Sequence, residues 1–356
     1  MRLLPTILTI LISFSTACTG PETTGSLSMQ EPAVAALWRS YVDTETSARN
    51  LQPDCVPRHI PARGARRGMV VFFHGFTACP QQYFDMGERL AGEGFEVYLP
   101  LIPGHGREPL YEADRPYKEK DNLSELPSTG TRDEYKTGEA RLNDRYEAFV
   151  AQMNAIGRAS TAPVKVVAGL SGGGGLASDA AIRGNGIWDR VLLYAPYYKN
   201  PGPTGPATWI VSGIAPGFRT DWGDQCRRVR SVGRDGYCSV HVGAIRAMTD
   251  YGARAAEQMH RVKVPVQYVG VDFDPTADNR TIVRAHETTP DSAMCLYYKG
   301  VPHSIINPAD DEPTLDGAWV PAMQEDSLRF ITDGRWFLTE GQSAERYGLE
   351  ACRPRL

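Results

Sequence analysis

The chain has 356 residues, 42% of them hydrophobic and 22% charged, with a formal net charge of −4. That length holds one large α/β domain or two small ones, and the composition is that of an ordinary globule with a buried core. The slight acidic excess and the lack of a basic stripe argue against a nucleic-acid partner.

Met1-Arg2 gives a short positive start, Leu3 to Phe14 an apolar run, and Ser15-Thr16-Ala17-Cys18 a small-residue site. The run is too short for a stable bilayer span and reads as a signal segment covering residues 1–18. A cysteine at the cleavage point resembles the lipobox of bacterial lipoproteins, with Ser15 where leucine is usual, and implies lipidation of Cys18. Simple secretion after Ala17 is the competing reading. Residues 19–30, rich in Thr, Ser, Gly and Pro, suit a flexible tether. The expected address is the cell envelope, either lipid-anchored, with the outer membrane favoured by Thr19 after the cysteine, or periplasmic.

Leu37 to Asn50 predicts a helix, and Cys55 to Ala62 an irregular lead-in. Gly68 to Phe73 is an apolar run without alternation, as in a parallel strand covered on both faces. A helix over Pro80 to Glu93 and a strand over Phe95 to Leu99 follow. Thr131-Arg132-Asp133-Glu134 is a capping box, and Leu142, Tyr146, Phe149, Val150 and Met153 form the apolar stripe of the helix it starts. Val164 opens a strand, a helix runs to about Arg183, and Arg190 to Ala195 is the next strand. Residues 196–258, rich in Pro, Gly and aromatics and helical from Val240, read as a lid inserted over the sheet. The alternation resumes with a strand over 264–271, a helix over 276–287, a strand over 293–298 and a helix over 323–332. Such alternation specifies a mostly parallel sheet with helices on both faces.

Six cysteines remain once Cys18 is set aside, an even set that suits an oxidising compartment. None has C-x-x-C spacing or a histidine cluster, so no metal site is expected. Among the fifteen pairings that six cysteines allow, Cys226–Cys238 is the most local. Cys295–Cys352 would pin the C-terminus, and Cys55–Cys79 follows by elimination.

The centre of the sequence is Val164 to Ala177, where a β-branched run ends in Gly169-Leu170-Ser171-Gly172-Gly173 and passes into a helix. G-x-S-x-G between strand and helix is the nucleophile elbow. A serine at so sharp a turn takes strained backbone angles, and side chains two residues either way would collide.

With H-G-F-T at 74–77, P-L-I-P-G-H-G at 100–106, D-F-D at 272–274 and P-H-S at 302–304, the chain resembles an α/β-hydrolase from about Gly68 onward. Within that superfamily it is similar to bacterial carboxylesterases and monoacylglycerol-lipase-like serine hydrolases. The resemblance implies an α/β-hydrolase domain over 31–356 and an order of Ser, acid, His at successive strand ends. Ser171 is the candidate nucleophile. Of seven histidines only His303 follows the last strand, which makes it the candidate base. The candidate acid is Asp274, with Asp272 as the alternative. Asp274 opens a D-x-x-x-D stretch like that of several lipases, yet many relatives place the acid at the position held here by Phe273.

Gly172, next after the nucleophile, should give one oxyanion N–H, and relatives with H-G-F imply Phe76 as the second donor. Trp209, Phe218 and Trp222 in the insertion are candidates for an acyl pocket, or else the lid's own small core. The expected chemistry is hydrolysis of a small-molecule or lipid ester without metal or cofactor. Acyl transfer or thioester hydrolysis by the same triad, and a non-catalytic binding role, are the competing classes.

Overall fold

The computed structural model describes residues 31–46, 51–106, 132–202, 210, 219–221, 239–297, 301–307, 317–338 and 353–354. Its centre is an eight-stranded sheet in the order β1-β3-β2-β4-β5-β8-β9-β10. These strands are β1 (Arg58–Ile60), β2 (Gly68–Phe73), β3 (Phe95–Leu99), β4 (Lys165–Leu170), β5 (Arg190–Tyr194), β8 (Val266–Val271), β9 (Ser292–Tyr297) and β10 (Arg353–Pro354). The run from β3 through β9 is parallel, and the edge strands β1 and β10 pair antiparallel to it. Two short strands, β6 (Arg219–Asp221) and β7 (Ser239–His241), form a separate antiparallel pair.

Helices cover both faces. On one lie α1 (Pro32–Thr46), α3 (Arg132–Ala159), α4 (Gly172–Arg183), α5 (Val242–Glu257) and α6 (Asn279–Thr288). On the other lie α2 (Phe84–Gly92) and α7 (Val320–Asp333). Each central strand therefore feeds two cores. In β2, Met69, Val71 and Phe73 point into the first and Val70 and Phe72 into the second, which is why the run shows no polar alternation. Leu142, Tyr146, Phe149, Val150 and Met153 on α3 are all buried in the first core.

The architecture is that of an α/β-hydrolase. Three local readings differ from it. The N-terminal helix begins earlier, at Pro32, where a proline without an N–H costs nothing. The lead-in contains β1, a strand of three residues, too short to show a pattern, held by pairing with β3 and by a half-buried His59–Glu96 contact. The helix read into the insertion is α5, which packs on α3 and α4 as the crossover from β5 to β8. Its Ala247, Met248, Tyr251 and Ala255 sit in the first core, so this helix belongs to the covering layer, not to a lid.

The chain leaves β2 for β3, then returns past β2 to β4. The strand order reverses there, and the crevice at the carboxyl ends of β2 and β4 is where open α/β sheets take ligands.

Candidate active site

Strand β4 ends at Leu170 and α4 begins at Gly172, leaving Ser171 alone to make the turn at φ 55° and ψ −121°. The turn is tied to the next strand: the Ser171 N–H donates to the Tyr194 carbonyl at 2.9 Å, and the Ser171 carbonyl accepts from the Tyr197 N–H at 2.8 Å. The flanking glycines are sterically required. A Cβ on Gly169 would lie 2.2 Å from the Gly173 oxygen, and one on Gly173 would lie 2.2 Å from the Phe73 oxygen. The elbow thus presses backbone on backbone, and the N-terminal amides of α4 point at the serine.

Two loops bring partners to the hydroxyl. His303, on the segment after β9, has Nε2 2.7 Å from Ser171 Oγ and Nδ1 2.7 Å from Asp274 Oδ2. Because the carboxylate accepts the Nδ1 proton, Nε2 is left unprotonated and accepts the serine hydroxyl. Asp274 is itself fixed, its Oδ1 accepting the Thr276 and Ala277 N–H groups at 2.7 and 3.0 Å. Its side chain is fully buried, and that of His303 is 11% exposed. Asp272 does something else: its Oδ1 caps the Phe273 N–H at 3.1 Å. Between the two carboxylates, Phe273 holds φ 55° and is 91% exposed. The Asp274 N–H reaches back to the Val271 carbonyl at 3.3 Å, so the segment is a tight turn with the phenylalanine at its left-handed position. That turn also delays α6 to Asn279, since the amides of Thr276 and Ala277 serve the carboxylate.

Gly172 and Phe76 meet beside the serine, where a Cβ on Gly172 would lie 3.1 Å from Phe76 Cβ. Among the described residues neither amide has an acceptor. The loop carrying Phe76 is anchored by two buried histidines. His74 Nδ1 donates to the Gly75 carbonyl at 2.8 Å and its Nε2 accepts the Ile102 N–H at 3.0 Å. His105 Nδ1 faces the Ile102 and Pro103 carbonyls at 3.2 and 3.3 Å, and its Nε2 accepts the Thr77 N–H at 3.1 Å. Both rings work only when neutral.

Burial pulls the His74 pKa from 6.5 down to about 4 and holds His105 well below its usual value. The unfolded chain therefore binds more protons than the native one between those values, and native stability falls as pH drops from 6.5 toward 4. For His74 alone the shift is worth about 3 kcal/mol. Urea midpoints should decline across this window in wild type and decline less in His74→Gln. A midpoint flat from pH 6.5 to 4 would remove buried neutral histidine from the account.

The structure joins Cys55 to Cys79 with Cα atoms 4.8 Å apart, beneath Leu101 of the neighbouring loop. Cys295 is also disulfide-bonded; Cys352, its expected partner, lies outside the described residues, while the next residue, Arg353, pairs with Met294. Cys18, Trp209, Phe218, Trp222, Cys226 and Cys238 lie outside them as well. Among the described residues no group of three or more His, Cys, Asp or Glu is placed to hold a metal ion. Sequence reasoning did not find Gln82, whose Oε1 accepts the Gly75 N–H at 2.7 Å. No local pattern marks it, because the contact depends on how the turn over Pro80–Tyr83 folds back.

The family model described as "Serine aminopeptidase, S33" matches residues 64–310. No curated protein matches the chain significantly. Among solved structures it is similar to one from work on the metagenome-derived lipolytic enzymes LipS and LipT, with 20% identity over 79% of this chain and 99% of that one and a TM-score of 0.55. It is also similar to the monoacylglycerol lipase of Paleococcus ferrophilus, with 18% identity, coverage of 78% and 98%, and a TM-score of 0.53. A soluble variant of Saccharomyces cerevisiae monoglyceride lipase aligns at 14% identity, with coverage of 77% and 90% and a TM-score of 0.51.

Proposed function

This chain belongs to the serine aminopeptidase S33 family, and from that premise we propose that it cleaves carboxylic esters through an acyl-enzyme on Ser171. The observation that carries the reading is the unbroken hydrogen-bond sequence from Ser171 Oγ through His303 to a buried Asp274.

An unaided serine hydroxyl is a weak nucleophile at neutral pH. As its oxygen attacks the acyl carbon, Nε2 of His303 takes the proton, and Asp274 stabilises the imidazolium and keeps its tautomer. Charge develops on the former carbonyl oxygen, and the Phe76 and Gly172 amides receive it, each such donor lowering the barrier by about 3 kcal/mol. His303 then passes its proton to the departing alcohol. Water enters, gives a proton to the same nitrogen, attacks the acyl-enzyme and frees the acid, returning Ser171 to its starting state. No metal or organic cofactor is called for.

The substrate class is a lipid or other lipophilic ester. Three lines support it: the lipolytic and monoacylglycerol-lipase identities of the similar structures, the aromatic-rich segment between β5 and α5, and the lipobox-like start that would tether the chain to a membrane through Cys18. A bacterial envelope location, with the outer membrane preferred, belongs to the same proposal.

The test is a fluorophosphonate probe on the purified chain without residues 1–18, followed by p-nitrophenyl esters of graded acyl length and aminoacyl p-nitroanilides. Labelling with ester turnover is the expected result. A labelled serine that turns over anilides and not esters would replace the ester reading with a peptidase one, as the family's description allows. A well-folded chain that takes no label would replace it with a binding role.

A further inference from the structure

We infer that Gln82, with His105, is a positioning residue that presents the Phe76 amide to the reacting oxygen by occupying the amides on either side of it; the inference rests on the ester-hydrolase reading above.

Three consecutive N–H groups run along the loop after β2. The first, on Gly75, donates to Gln82 Oε1 at 2.7 Å, and the third, on Thr77, donates to His105 Nε2 at 3.1 Å. Only the middle one, on Phe76, has no acceptor among the described residues.

The peptide unit that carries it is aimed as well. A trans peptide points its C=O and N–H in opposite directions. Here the Gly75 carbonyl is held from inside by His74 Nδ1 at 2.8 Å and by the Ala78 N–H at 3.1 Å. With the oxygen fixed inward, the Phe76 N–H faces out, beside Gly172.

The arrangement works against local preference, which is why it needs holding. Thr77 sits at φ 71°, a region a β-branched residue rarely enters, so the loop left alone would relax. Gln82 and His105 are both buried, so neither acceptor is readily replaced by solvent. Gln82 lies on the turn into α2, where its side chain serves the loop without touching the serine.

An interaction that matters only once the oxyanion forms lowers kcat and leaves KM nearly unchanged. Gln82→Met keeps the bulk and removes the acceptor. For it kcat on a p-nitrophenyl ester should fall about ten- to a hundredfold, below the full loss of an oxyanion donor, with KM within about twofold. Gln82→Glu keeps an acceptor oxygen and should recover most of the loss. Affinity for a trifluoromethyl ketone, which mimics the tetrahedral state, should fall in step with kcat. Should Gln82→Met not fold by circular dichroism, Gln82→Asn carries the test, since its shorter arm withdraws the oxygen while keeping the amide. A folded variant with wild-type kcat, or with raised KM and unchanged kcat, overturns the inference and leaves the hydrolase reading standing. Wild-type protein without Ser171-dependent ester turnover overturns both.

Discussion

Replacing Ser171 with alanine is expected to lower kcat on any accepted ester by about 10⁴- to 10⁶-fold, and His303→Ala by a similar factor. The double variant should be no worse than either single one. Once the hydroxyl is gone the imidazole has no proton to take, and once the imidazole is gone the hydroxyl stays protonated, so the pair behaves as one unit. What survives is the work of the Phe76 and Gly172 amides and of substrate binding, so residual turnover above the uncatalysed rate should persist in all three variants. Stability should change little in Ser171→Ala, because the elbow is held by backbone: the serine N–H on the Tyr194 carbonyl, and its own carbonyl accepting from Gly174, Gly175 and Tyr197. Rates multiplying independently in the double variant would mean that the 2.7 Å contact between the two side chains does not operate in turnover.

The parts legible in the sequence are those whose cause is local. The turn at Ser171 demanded glycine at 169 because a Cβ there would meet the Gly173 backbone within the same five residues, whereas the clash that Gly173 avoids is with Phe73 and His74 at the end of β2. The buried strands declared themselves by unbroken apolar runs. The α/β-hydrolase architecture follows from their order. What stayed hidden depends on distant partners. Strand β1 is three residues long and exists because β3 offers it an edge, and β10 is a two-residue pairing on β9. The role of Gln82 needs a 3-10 turn to carry a side chain back onto Gly75, seven residues earlier in the loop after β2, and neither propensity nor periodicity encodes that. α5 looked like part of an insertion because a proline- and glycine-rich stretch precedes it, while its stripe of Ala244, Ala247, Met248, Tyr251 and Ala255 marks it as a core-facing crossover.

The choice between Asp272 and Asp274 shows the same limit at a single turn, and it leads to a second prediction. Spacing alone left both open, because relatives count three residues from the strand-terminal glycine and arrive here at Phe273. The structure accommodates the extra residue by giving Phe273 a positive φ, which sends one carboxylate toward its own turn and the other inward. Asp274→Asn should therefore cost about ten-thousandfold in kcat, with little change in KM. The amide group fills the same space, and the Thr276 and Ala277 N–H groups still have an oxygen to meet. Its NH₂ then faces Nδ1 of His303 and favours the tautomer with the proton on Nε2, where it blocks acceptance from Ser171. Asp272→Asn keeps an oxygen for the Phe273 amide and touches neither reacting group, so its kcat should remain within about threefold of wild type, as for a substitution away from any reacting contact. Each variant removes one negative charge, at positions two residues apart, so bulk electrostatics should affect them alike and local geometry must account for the gap. Equal losses in both would point to the summed negative charge of the turn, and the larger loss in Asp272→Asn would move the imidazole's partner to that residue.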